Sequence, residues 1–362
     1  MTLPFHALDS DLFARAQPLL DEEWLARDPD LAPVLPTVLA RGVGQDWHKA
    51  GTFRHHLVGV ARSLTVWQQP RDVRLLGLLH SVYGNAFVDL VKFDPARERA
   101  RVREIAGESA EQLVYLFCTQ SRTQFVQKVL AGALESDGSL ALEKDGVRHV
   151  LTPYEVAAFL IVSMADTIEQ WFSWQDDIFS RFPAVQHRPQ PVHWAASLWP
   201  GPMRPSGRMV AQINALGLAL QHPGLKGLLP LPPVFGNCTL PLAAADEAAA
   251  TSLYWSVIQQ DQPLVDLDVA TGVLESAVRH NPWVGEPQMV LAQLYLSAGR
   301  RADAQAAAAS ALQLFSAWGN SWDKRVQWDA WVAWTRILLQ GATVEGTWPE
   351  RLDKLNNVAL RT

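Results

Sequence analysis

Between Glu155 and Asp166 lie ten residues without a charge, Val156 to Ala165, nearly all of them apolar. Thr152-Pro153 stands just ahead, with Glu155 close behind. Proline suits a first helical turn, where its missing N–H has no partner to lose, and a glutamate there can reach back to the cap. The pattern predicts a helix from Pro153 to about Trp174. A helix that is apolar nearly all round is stable only inside a core, so other elements must surround it. An ionised carboxylate at Asp166 is costly there unless a cation, a hydrogen-bond donor or a metal meets it.

The preceding sequence supplies helices to do the surrounding. Asp9 to Leu25 and Asp30 to Ala40 carry apolar residues at helical spacing and read as two short lead-in helices. In Thr52 to Gln68, Phe53, Leu57, Val60, Leu64 and Trp67 form one apolar stripe, with Pro70 beyond the end. Asp72 to Val82 is apolar on most sides, a buried helix that Gly84 can end. Pro95 to Ile105, Glu108 to Thr119 and Arg122 to Leu134 are three more expected helices. Within Ser139 to Thr152, Leu140 and Leu142, then Asp145-Gly146, then Val147 and Val150 predict a short β-hairpin.

Composition changes after this region. Stretches 182–205 and 224–241 are rich in proline, glycine, tryptophan or histidine and read as linker, with one helix near Met209 to Leu220. From about Ala243 the chain is helical again. "VLESAVRHNPW" and "AQLYLSAGRRADAQAAAASALQLF" resemble parts of tetratricopeptide repeats, which implies a short array of helical hairpins. Eight of the 15 tryptophans lie in this last region, Trp318, Trp322, Trp328, Trp331 and Trp334 among them, as a packing or interface feature. The expected organisation is a first domain over 1–181, a linker with one helix over 182–242 and a helical domain over 243–362.

The formal charge of −6 argues against a general nucleic-acid binder, whose affinity comes from clustered Lys and Arg. The two cysteines, Cys118 and Cys238, are too few and too far apart for a disulfide framework or a cysteine zinc site, and are expected to be free thiols. Apolar runs stay short of the ~18 residues that cross a bilayer. The first residues lack a basic segment followed by an apolar one, so the expected compartment is the cytoplasm.

Three of the buried helices each carry a metal-ligating residue type: His56, His80 and Asp166. A single buried histidine is more often a hydrogen-bonded core residue than a ligand, and Asp166 alone can pair with an arginine; the arrangement of the three is what favours a metal. "HHLVGVARSL", "LLGLLHSVYG" and "IVSMADTIEQ" resemble the three signature helices of the HD-domain superfamily over roughly residues 40–180. Members of that superfamily are all-helical metalloproteins, mostly phosphohydrolases, with one branch of iron-dependent oxygenases. The resemblance implies an all-α fold, an HD-like bundle with a small hairpin, in which His56, His80 and Asp166 ligate metal.

One departure bears on the chemistry. Where the superfamily has His-Asp, His80 is followed by Ser81, and a serine hydroxyl is a poor ligand for a divalent cation. Two histidines and one carboxylate remain, the composition of the facial triad that holds Fe(II) with open positions. The first expectation is therefore a mononuclear Fe(II) oxygenase acting on a small molecule, with Mn or another divalent metal as the alternative ion. A metal-dependent phosphohydrolase is the second. The third is a metal-free HD-like scaffold whose tetratricopeptide-like region binds a protein partner or a second copy. Ser81, Tyr83 and Glu169 are candidates to assist at the site. His55 points about 100° from His56 on a helix, and His187 and His193 lie in the linker. Arg54, Arg62 and Arg122 are candidates to meet an anionic substrate, with surface charge as the simpler account. No nucleotide loop, serine-hydrolase elbow or zincin motif is present.

Overall fold

The structure is a computed structural model that describes residues 9–48, 51–84, 90–170, 209–237, 241–258, 266–349 and 359–360. It is predominantly helical, with two small antiparallel hairpins. Helices α1 (Ser10–Ala16), α2 (Trp24–Arg27) and α3 (Leu35–Leu39) are short; the two lead-in helices expected here are broken by turns. Hairpin β1 (Trp47–His48) and β2 (Gly51–Thr52) leads into α4 (Phe53–Val66) and then α5 (Arg71–Leu79). Three helices follow, α6 (Arg99–Ala106), α7 (Glu108–Thr119) and α8 (Arg122–Leu130). The second hairpin, β3 (Leu140–Lys144) with β4 (Val147–Leu151), precedes the long α9 (Pro153–Gln170). Beyond it come α10 (Met209–Ala219), α11 (Val234–Asn237), α12 (Ala244–Ile258), α13 (Leu267–His280), α14 (Glu286–Ser297), α15 (Arg301–Trp318) and α16 (Trp328–Thr343).

The chain divides into two compact units. Gln17–Gln170 with Gln212–Phe235 make the first; the second contains α1 and the residues from Gly236 on. This division differs from the expected segmentation at two places, each with a local contact behind it. Asp9 at the start of α1 donates its N–H to Gln313 of α15 at 2.8 Å, and α1 packs on that helix. Part of the expected linker belongs to the first unit instead: Gln69 donates to the Pro230 carbonyl at 2.7 Å, and the backbones at Gly138 and Gly224 touch, which a side chain at either glycine would prevent.

In the first unit α9 is the central element. Every residue from Val156 to Asp166 is buried, as its uncharged run requires. Helices α4, α5 and α7 all pack on it, and α4 packs on α5. Gly77 makes that last approach close, because a Cβ there would lie 2.2 Å from Leu64 Cδ1. The hairpin expected at Asp145-Gly146 forms, with both residues at positive φ (52° and 77°), as a two-residue turn between twisted strands demands. The β1–β2 hairpin is new relative to the sequence reading, since two-residue strands are too short to show alternation.

In the second unit α13, α14, α15 and α16 each pack on the next. Trp255, Trp283, Trp318, Trp322, Trp328 and Trp331 are buried. Three indole N–H groups find backbone carbonyls: Trp318 on Trp283 at 2.6 Å, Trp328 on Phe315 at 2.9 Å and Trp331 on Asp323 at 2.9 Å. Those tryptophans therefore build the core of this unit. No helix of the described residues is long and apolar enough to cross a membrane.

Candidate metal centre

Three elements bring the ligating residue types together. His56 lies one turn inside α4, whose start is fixed by Thr52: its hydroxyl accepts the His55 N–H at 3.4 Å while its own N–H donates to His55 Nδ1 at 3.3 Å. His55 thus belongs to the cap and His56 faces inward. His80 is the C-cap of α5, which ends earlier than the apolar pattern suggested, and the turn through Ser81 to Gly84 follows. Asp166 comes from α9. All three side chains are buried.

Their donor atoms form a triangle. Nε2 of His56 and Nε2 of His80 are 3.0 Å apart, and Asp166 Oδ1 lies 3.4 Å from the first and 3.6 Å from the second. The circle through the three atoms has a radius of about 1.9 Å, just inside the about 2.0–2.2 Å typical of metal–nitrogen and metal–oxygen bonds. A point at bonding distance from all three therefore exists slightly out of their plane. Among the described residues no other trio of His, Cys, Asp or Glu converges in this way.

The other ring nitrogens fix the tautomers. His80 Nδ1 donates to the Gly77 carbonyl at 2.7 Å, so its Nε2 keeps the lone pair. His56 Nδ1 donates to the Glu169 carboxylate, with the same result. Glu169 gets this close because residue 59 is glycine: a Cβ there would sit 2.8 Å from Glu169 Cγ. Burial pushes the His80 pKa down to about 3, an effect that His56 and Arg122 reinforce and Asp166 only partly opposes, so the ring is neutral. Burial by itself would raise the Asp166 pKa, but the Arg122 guanidinium, then His80 and His56, hold it well below the usual carboxylate range. A neutral His80 imidazole and an ionised Asp166 carboxylate are protonation states that a divalent metal requires.

Further groups surround the triangle. Arg122, at the first position of α8 behind the Ser121 cap, pairs with Asp166 Oδ2 and lays its guanidinium 4.6 Å from the centre of the Phe117 ring. Gln170, one turn beyond Asp166, donates to Asp166 Oδ1 at 2.8 Å. The ring of His48, from β1, lies 4.7 Å from that of His56. Phe117 also meets His80 edge-on, which gives the site an apolar wall.

The residues expected at the site from sequence are distributed as follows. Glu169 is at His56, and Ser81 is buried beside His80 in the chain. The Tyr83 hydroxyl is directed elsewhere, donating to Glu111 at 3.0 Å in a cluster closed by the Arg99–Glu111 pair at 2.7 Å. Burial and the Glu111 charge push its pKa far up, so this hydroxyl stays protonated. Arg54 is exposed, Arg62 is half-buried, and His187 and His193 lie outside the described residues. Cys118 is a free, buried thiol that donates to the His80 carbonyl at 3.1 Å, and burial raises its pKa to about 12. Cys238 lies outside the described residues.

His48 and Gln170 were missed in the sequence reading, and the arginine that pairs with Asp166, Arg122, was left unidentified there. Gln170 was legible in principle, because residues four apart share a helix face. The other two depend on how separate elements meet.

A family described as a domain of unknown function, DUF6817, matches residues 37–122, the stretch that carries His56, His80 and Arg122 but not Asp166. No curated protein and no solved structure matches the chain.

Proposed function

We propose that His56, His80 and Asp166 hold one divalent metal ion, and that the first unit is an HD-like metalloenzyme acting on a small molecule. The observation that carries this reading is the triangle of two Nε2 atoms and Oδ1, with both imidazole tautomers fixed so that lone pairs face inward. Ser81 in place of a bridging aspartate favours one ion over two. The donor set is that of mononuclear non-haem iron sites, and Fe(II) held there would supply open positions for substrate and dioxygen; Mn or another divalent ion fits the same donors. The chain's own residues do the positioning: Glu169 orients His56, Gly77 orients His80, and Arg122 keeps Asp166 ionised.

A phosphohydrolase is the second reading, favoured by the Arg122 guanidinium at the triangle, which suits an anionic substrate. The metal-free scaffold, with a tetratricopeptide-like region for a protein partner or self-association, is the third. Elemental analysis of protein purified without added metal separates them. About one iron per chain, with dioxygen uptake on a substrate, supports the oxygenase. Iron below a tenth of an equivalent, together with activity on phosphoesters under manganese, cobalt or nickel, supports the hydrolase. A chain that takes up no metal at all is the scaffold.

A further inference from the structure

Gln170 reaches the donor atoms of the triangle from the same helix as Asp166. Its amide nitrogen lies 2.8 Å from Asp166 Oδ1 and 2.9 Å from His56 Nε2, and 3.3 Å from Nδ1 of the same ring. Adjacent ligands of an ion held at about 2.1 Å stand about 3 Å apart in an octahedron. The end of the Gln170 amide thus lies close to two of the three donors, beside the His56 ring and off its Nε2 lone pair, so the amide must swing toward the ion to bind it.

The atom found there in this structure is a donor, which cannot ligate a cation. The same planar group carries an oxygen at its other corner. The terminal torsion of glutamine is broad and roughly two-fold, so a half-turn exchanges nitrogen for oxygen at small cost. The charge balance favours that exchange once a cation is present: the nitrogen suits two facing acceptors, the oxygen suits a metal.

We propose that Gln170 is the fourth protein ligand of the centre, its Oε1 turning toward the ion when His56, His80 and Asp166 hold one. The proposal rests on the metal-centre reading above. A neutral oxygen donor adds no charge beyond that of Asp166, and it suits ferrous, manganous or cobaltous ions better than soft Cu(I). It also leaves two positions of a six-coordinate ion for exogenous ligands instead of three.

Titration of the full chain with Co(II), followed by visible absorption, tests this on wild type, Gln170→Ala, Gln170→Glu and His80→Ala, each verified as folded by circular dichroism. The expected result is that Gln170→Ala binds cobalt at least about tenfold more weakly, with an altered absorption band. Gln170→Glu is expected to bind at least as tightly as wild type, because a carboxylate oxygen replaces the amide oxygen. Unchanged affinity and spectrum in Gln170→Ala overturn the proposal. So does Gln170→Glu binding more weakly than Gln170→Ala, since a residue that only donates to Asp166 would, as glutamate, repel it. If wild type binds no more cobalt than His80→Ala, the metal centre itself falls, and the fourth ligand with it.

Discussion

Nε2 of His56 stands 3.0 Å from Nε2 of His80, and each ring has committed its proton through Nδ1, to Glu169 and to Gly77 respectively. Two lone pairs held face to face, with a carboxylate oxygen beside them, are stabilised by a cation. Metal binding should therefore stabilise the fold. At a hundredfold excess over Kd the gain is about 2.7 kcal/mol, which corresponds to a Tm rise of about 5–10 °C for a domain of this size. Differential scanning calorimetry with and without chelator measures it, and His80→Ala should show no difference between the two.

Arg122 carries the charge that offsets Asp166. Removing one partner of a buried pair leaves the other uncompensated, at a cost of about 3 kcal/mol or more. Arg122→Ala is expected to destabilise the metal-free protein by that amount in urea unfolding. Saturating metal should recover part of the loss, since a divalent ion neutralises the same carboxylate. A loss equal in both states would detach Arg122 from the centre.

Gly59→Ala is expected to separate stability from binding. Alanine in mid-helix is intrinsically favoured over glycine by up to about 1 kcal/mol. The new methyl, however, displaces the flexible Glu169 side chain, 2.8 Å from its position, and so loosens the His56 orientation. Metal affinity should fall about 10-fold or more while Tm without metal holds or rises. Parallel calorimetry and metal titration give both numbers.

The second unit has its own pH dependence. Glu286 is buried on the Trp322 and Asp323 N–H groups, and burial raises its pKa from 4.5 to about 7, with the Asp323 charge adding to the rise. A carboxyl with a raised folded pKa contributes stability that is fully present below pH 4.5 and is lost as pH rises through about 7. Glu286→Gln keeps an acceptor oxygen but does not titrate. Its stability relative to wild type should improve by about 3 kcal/mol between pH 4 and pH 8, measured by urea unfolding at each pH.

How much of this was legible in the sequence follows from what each pattern encodes. The uncharged run ahead of Asp166 announced a buried helix, and the Phe53–Trp67 stripe and the Asp145-Gly146 turn announced their elements, because burial periodicity and turn chemistry are local. The placement of His56, His80 and Asp166 on buried helices was readable for the same reason. Their convergence was an expectation carried by family resemblance, and the triangle of donor atoms is a property of how α4, α5 and α9 pack. Tyr83 shows the limit: adjacent in sequence to the site, it turns to Glu111 from the Ser81–Gly84 turn that follows the α5 cap.

The sequence by itself determined which segments are helical and which faces must be buried, since these follow from residue spacing within a few turns. Only the tertiary structure decided that α1 joins the second unit and residues 212–235 the first, that Arg122 rather than solvent balances Asp166, and that Glu169, Gln170 and His48 gather at His56. Those relations depend on the angle and depth at which distant helices meet. That is set by the fit of side chains such as Leu64 against Gly77, and spacing along one helix does not encode it.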